Sequence, residues 1–546
     1  MPATPHRRSH MTTSTRRTPL SRPLTAALAL VVTACGLRQS APHHRANELQ
    51  VLASTSEQPE QAEQPRTNTR VPAMVLKDYG VNPTIETTAE PVSTFAADVD
   101  TGSYTLTRGY LERGVLPDEA AVRVEEFVNA FDYGYQPPKE QAFAVQVEAF
   151  PSPNRKGYHV LHVGVKAREV SKENRKPSHL VFTIDVSGSM AMERRLGMVK
   201  QALALLVNEL DARDKVSIVV YGTTAHTVLP PTPATQRENI LAAIHALKPE
   251  GSTNVEAGLD LAYDLAMKGF VPGGNNRVVL CSDGVANNGV TEAGALWQTV
   301  KGRASEGVTL TAVGFGMGNY NDVLMERLGD MGDGHYAYVD KLDEARRIFV
   351  EHLTGTLQVV AKDVKLQLEF NPAAVERYRL LGFENRLLDK RDFANDRVDA
   401  GELGAGHAVT AIYEVKLKAK ADAASFATFR ARYKAPQGGA SELLEKALPT
   451  SVIRQERHAA SAPARLSLVV SGFAEKLRGS YWARTLTWDA LLAELAELPP
   501  GLAQRPDVKE LAGLIRTAKS LDHRPDRFEA RAPVASMDFD RLPVIE

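Results

Sequence analysis

Hydrophobic positions follow two rhythms along this chain. The stretches "AFAVQVEAF" and "YHVLHVGVKAR", near 141–170, alternate apolar and polar residues as half-buried strands do. Between 178 and 356 the alternation gives way to unbroken apolar runs near 178–185, 215–221, 276–282, 308–314 and 335–339. Segments of helical spacing separate them, the first being "AMERRLGMVKQALALLVNEL" and the last "LDEARRIFVEHL". An apolar run without alternation marks a strand covered on both faces, so this block predicts a doubly wound, mostly parallel α/β sheet. Alternation then returns in "DVKLQLEF", "YRLLGFENR", "AVTAIYEVKLK" and "FATFRARYK". Strand patterns on both sides of a self-contained α/β block predict a module, 176–358, inserted in a β-rich, sandwich-like domain built from 141–175 and 361–435.

Helical regions flank this arrangement. An N-terminal extension, 73–140, carries two expected helices near 101–113 and 118–130, separated by "GVLP". The C-terminal region, 436–546, contains "LTWDALLAELAEL" and "VKELAGLIRTAKSL", amphipathic at period 3.6, whose leucine stripes read as core.

The first 72 residues have a different character. Arg7, Arg8, Arg16, Arg17 and Arg22 precede the apolar "LTAALALVVTA", which is too short to span a bilayer and has the length of a signal-peptide core. It runs into "VTACG", which resembles the lipobox of bacterial lipoproteins. That resemblance implies a signal peptide over 1–34, with Met1 or Met11 as the start, and a mature chain beginning at lipidated Cys35. Gly36 after the cysteine, by resemblance to Gram-negative sorting rules, favours the outer membrane of the cell envelope. Residues 35–72, rich in Gln, Pro, Ser, Glu and Thr, read as a disordered tether in which His43 and His44 form a solvated pair. The other cysteine, Cys281, lies in the apolar "RVVLCSDG" and reads as a small buried hydrophobe. No other run approaches the apolar length of a membrane-spanning helix.

At 546 residues, the chain is long enough for three or four domains. The balance of 65 basic against 66 acidic residues supplies no global field for nucleic acid, which is not expected as a partner.

Several strings offer chemistry. "DTGS", Asp100 to Ser103, copies an aspartic-protease string, but that chemistry needs two such carboxylates and no second D-[ST]-G occurs. Nor does "DVDTGS" have EF-hand spacing, so Asp100 reads as a helix cap. "GELGAGHA" lacks the strand-to-helix setting of a nucleotide fingerprint. "GFGMGNYND", 314–322, reads equally as a rim loop or a tight turn. The informative string is "FTIDVSGSM": a covered strand ends in Asp185, Ser187 and Ser189, at the edge where open α/β sheets place their ligand sites.

This D-x-S-x-S resembles the metal-ion-dependent adhesion site of von Willebrand factor type A domains. That family's remaining ligands match Thr253 in "GSTNVEAGL" and Asp283 in "VVLCSDG", in the family's order. The flanking pieces resemble bacterial type A lipoproteins with their own N-terminal extension and C-terminal domain. The resemblance implies one divalent ion per domain, Mg2+ or else Mn2+ or Ca2+, held by Asp185, Ser187, Ser189, Thr253 and Asp283. Magnesium takes six hard oxygens at about 2.0–2.1 Å. Two carboxylates just neutralise a divalent ion, and neutral hydroxyls leave it electrophilic enough to accept an Asp or Glu from a protein ligand. The expected function is therefore a membrane-anchored binding protein rather than an enzyme. The alternatives are a metal-dependent hydrolase, for which the chain offers no HExxH or GxSxG, and an adaptor subunit of a larger envelope complex.

Overall fold

Strand Ser178–Asp185 is buried along its whole length and pairs in parallel on both sides, with Lys215–Tyr221 and with Asn275–Ser282. It is the centre of a six-stranded sheet ordered Tyr336–Val339, Val308–Phe315, Asn275–Ser282, Ser178–Asp185, Lys215–Tyr221 and Ala225–Pro233. All pairings are parallel except the last. The computed structural model in which this is seen describes residues 74–284, 293–316, 320–351, 355, 357–398, 400–419 and 424–523. Cys35, His43, His44, the expected signal peptide and the tether lie outside the described residues.

Helices cover both faces of this sheet, as unbroken apolar strands require. On one face Leu180, Phe182 and Ile184 pack with Val199, Leu203 and Leu206 of helix Arg195–Glu209. On the other, Val181 and Val219 meet Leu259 and Ala262 of helix Val255–Lys268, together with Leu106 and Tyr110 of helix Gly102–Glu112. The N-terminal extension thus completes a face of the α/β module. Its following turn and helix, Val124–Asn129, turn the other way, where Tyr104, Phe127 and Phe131 share a core with Phe473, Trp488 and Leu511 of the C-terminal helices.

The alternating segments form two antiparallel sheets around one core. The first runs Ile85–Glu86, Val375–Leu381, Ala408–Leu417, Tyr158–Ala167, Phe143–Pro151. The second runs Leu403–Gly404, Val359–Phe370, Ser425–Lys434, Glu442–Pro449, with Val92–Ala96 paired to Val359–Phe370. Phe143, Leu161 and Val163 of the first sheet pack with Leu366, Leu368 and Phe429 of the second. Strands from before and after the α/β module therefore pair directly, Val165 opposite Val409.

Three differences from the sequence reading have physical causes. Glu442–Pro449, placed by the sequence in a helical region, is an edge strand that exposes most of its residues, so it shows no alternation. Ala225–Pro233, "AHTVLPPTP", is also a strand; prolines are tolerated because it lies at the sheet's edge. Asp100 is not a helix cap: Thr101 is the N-cap of Gly102–Glu112 and makes no side-chain capping bond. The Asp100 carboxylate instead accepts from the Tyr336 amide at 3.0 Å and from Arg386 at 3.4 Å, tying the extension to the α/β module and the sandwich. Among the described residues, no helix is long and apolar enough to cross a membrane.

Candidate metal centre

Asp185 is the last residue of the central strand, and its carboxylate is fully buried. The Ser187 amide donates to its Oδ1 at 2.8 Å and the Ser282 hydroxyl to its Oδ2 at 3.0 Å. The chain then tightens into the 3-10 turn Gly188–Arg194, which brings the Ser187 and Ser189 hydroxyl oxygens within 3.1 Å of each other. Helix Arg195–Glu209 follows.

The second contribution comes from the loop ahead of helix Val255–Lys268. Gly188 donates its amide to the Gly251 carbonyl at 3.1 Å, and Glu250 donates to the Val186 carbonyl, so this loop is stitched to the Asp185 loop. Asn254 fixes its other end by accepting from the Ala257 amide at 3.1 Å, as an N-cap should. Thr253 lies between these ties. It is buried, and its hydroxyl oxygen has no hydrogen-bond partner. A buried hydroxyl left unpaired carries a desolvation cost, of about 1–3 kcal/mol. The third contribution is Asp283, directly after strand Asn275–Ser282, whose parallel register sets Cys281 beside Ile184. This is the point where the chain reverses its direction of winding: the strands after Ser178–Asp185 go first to one side of it and then to the other.

The local field reflects this grouping. Burial pushes the Asp185 carboxyl up to about 6, against the lowering pull of its Ser187 hydrogen bonds, and Asp283 adds to the rise. Asp283 meets a cation of the chain's own: Arg195 donates to its Oδ2 at 2.7 Å, with both side chains buried. Sequence reasoning did not reach Arg195, because the contact spans 88 residues and has no periodic signature. Nor did it reach Ser282, although that residue lies beside Asp283 in the same motif. In the 314–322 segment, Gly316 lies against the Arg195 side chain and Asn321 caps helix Asp322–Met331 by accepting from the Leu324 amide at 3.0 Å. Residues 317–319 lie outside the described residues.

Among protein families, the model described as "Uncharacterized protein YfbK, C-terminal" matches residues 355–521. That of von Willebrand factor matches 73–162, and that of the von Willebrand factor type A domain matches 180–285. YfbK of Escherichia coli (strain K12) is 38% identical over 441 residues, covering 76% of this chain and 76% of that protein. The chain belongs to the YfbK family. Inter-alpha-trypsin inhibitor heavy chain H4 of Homo sapiens is similar over a shorter stretch, 27% identical over 177 residues, covering 30% of this chain and 17% of that one. A solved structure, von Willebrand factor type A from Catenulispora acidiphila, is 15% identical and covers 71% of this chain and 97% of its own, with a TM-score of 0.41. This member of the YfbK family thus carries a type A domain, a module that commonly mediates protein binding, followed by the family's own C-terminal region.

The donor set suits a hard divalent cation. Two carboxylates and three hydroxyls come from three loops at one end of a parallel sheet, and one of the hydroxyls is buried without a partner.

Proposed function

We propose that this protein is a binding module, not an enzyme, which recognises a protein ligand through a divalent cation held by Asp185, Ser187, Ser189, Thr253 and Asp283. The ion is Mg2+, or Mn2+ or Ca2+ in its place, and the ligand donates an Asp or Glu carboxylate to it. The chain acts from the cell envelope, anchored in the outer membrane by lipid on Cys35. The observation that carries the ion is the Thr253 hydroxyl, buried and unpaired in a loop tied by backbone hydrogen bonds to the Asp185 loop. A hard cation at this point would relieve that cost and the burial of the Asp185 carboxylate together.

The test compares chelated protein with protein in Mg2+ or Mn2+. If only the folded state binds, ion at a hundred times its dissociation constant adds about 2.7 kcal/mol, read as a rise in the melting temperature. Asp185→Ala should remove the rise and the metal-dependent capture of envelope proteins. Unchanged melting and unchanged capture on chelation, in a folded wild-type protein, would refute the reading. The anchor is tested separately: Cys35→Ser should release the protein from membranes, and an unmodified Cys35 on the mature chain would count against it.

A further inference from the structure

Arg195 is placed with unusual care for a residue of a helix's first turn. It is buried, and its guanidinium donates to Asp283 Oδ2 at 2.7 Å. Its shaft runs past Gly316, where a Cβ would lie 2.3 Å from Nε. Gly316 also has φ +79°, so a side chain there would meet both a strained backbone and the arginine. Arg195 also lines a cavity of about 150 Å³ together with Met198, Tyr338, Arg113 and Asp340. Glu112, at the end of the extension's helix Gly102–Glu112, is on the wall of the same cavity and is half exposed.

We propose that Arg195 is a tethered competitor of the divalent ion, so that occupation of the centre requires the guanidinium to give up Asp283, with the adjoining cavity as its alternative seat. This rests on the cation reading above and concerns how that site is regulated. A guanidinium stays charged at any pH the protein meets. While it holds Asp283, one of the two negative charges available to the ion is already neutralised, and the remaining positive charge repels the cation. Arg195 also stabilises the metal-free chain, because removing one partner of a buried ion pair is costly. The extension helix forms part of the alternative seat, which gives the N-terminal region a route to the metal's affinity.

The experiment uses the full chain with Arg195→Met, Arg195→Gln and Arg195→Lys, measuring Mn2+ affinity by calorimetry and melting with and without chelator. The two neutral variants should bind Mn2+ at least about tenfold more tightly than wild type, equivalent to about 1.4 kcal/mol, while the lysine variant stays within about threefold. The same neutral variants should melt lower than wild type when chelated and recover most of the difference in Mn2+. A merely structural arginine would lower melting equally in both conditions. In an Asp283→Asn background, Arg195→Met should no longer change affinity. If Arg195→Met does not fold, Arg195→Gln carries the test. Wild type and neutral variants binding Mn2+ equally would overturn the inference and leave the cation reading standing. No Mn2+ binding by either would overturn the cation reading, and this inference with it.

Discussion

Glu125→Gln should stabilise the protein, and by an amount that depends on pH. Glu125 belongs to helix Val124–Asn129 and is almost fully buried. Its Oε2 accepts from the Phe383 amide at 2.9 Å, at a turn where Gly382 and Phe383 both have positive φ, +81° and +63°. A Cβ on Gly382 would lie 2.5 Å from that same oxygen, so carboxyl and turn are in close contact. Oε1 has no partner. Burial pushes the carboxyl up to about 8 from an ordinary 4.5, with Glu384, Asp98 and Glu126 adding to the rise. The folded state therefore holds a proton that the unfolded chain releases above pH 4.5. Stability from this group is complete below that pH and is lost progressively up to about pH 8. At pH 7 the loss is about 3 kcal/mol, at about 1.4 kcal/mol for each pH unit above the unfolded value. Glutamine has nearly the shape of the protonated acid, can accept from Phe383 through its oxygen, and has no ionisation to lose. The difference between Glu125→Gln and wild type should then be close to zero at pH 4 and grow to about 3 kcal/mol at pH 7. Urea titrations followed by tryptophan fluorescence would measure it, because Trp488 shares a core with Val124 and Phe127. A variant equally stable to wild type at every pH, or less stable at pH 8, would refute the reasoning.

Two further outcomes follow from packing. Phe473→Ala removes a fully buried ring that meets Phe127 at 5.9 Å and Trp488 at 6.1 Å between centroids. It should cost about 3–5 kcal/mol in urea unfolding, and a cost below 1 kcal/mol would mean that extension and C-terminal helices do not depend on their shared core. Cys281 is fully buried, and that burial pushes its thiol well above the ordinary range. It should stay unmodified by alkylating reagents in the native protein and react in urea, as peptide mapping would reveal.

What could be read from the sequence divides by the range of the interaction responsible. Strand Ser178–Asp185 announces itself because both of its faces are covered, and Ser425–Lys434, whose burial alternates, because one face is. Asp185, Ser187 and Ser189 follow from a local motif. Thr253 and Asp283 carry no pattern of their own and were reached through family resemblance. Edge strands escape notice: Glu442–Pro449 keeps only Leu448 well buried, and Ala225–Pro233 is interrupted by prolines. Long-range polar contacts escape altogether, since the Arg195–Asp283 ion pair and the hydrogen bond from the Tyr336 amide to Asp100 are joined by folding and by nothing in their neighbourhoods. Asp100 shows the cost: a local rule made it a cap, while its carboxylate serves a residue 236 positions away.

The pairing of Tyr158–Ala167 with Ala408–Leu417 imposes an order in time. The register that joins Lys166 to Ala408 leaves a gap of 242 residues, most of it the α/β module. Closing a loop of that length is slow compared with closing a hairpin, so the early strands wait for their partner. During that interval Phe143–Pro151 and Tyr158–Ala167 form a hairpin with an open edge and an apolar face uncovered, which is a hazard for misassembly. The α/β module, whose sheet closes entirely within 178–339, can fold in the meantime. Once folded, it holds the two halves of the sandwich a short distance apart: Lys176, before its first strand, donates its amide to the Gln358 side chain at 3.0 Å. Folded first, the inserted module would bring the two halves of the sandwich together and turn a long-range pairing into a short closure.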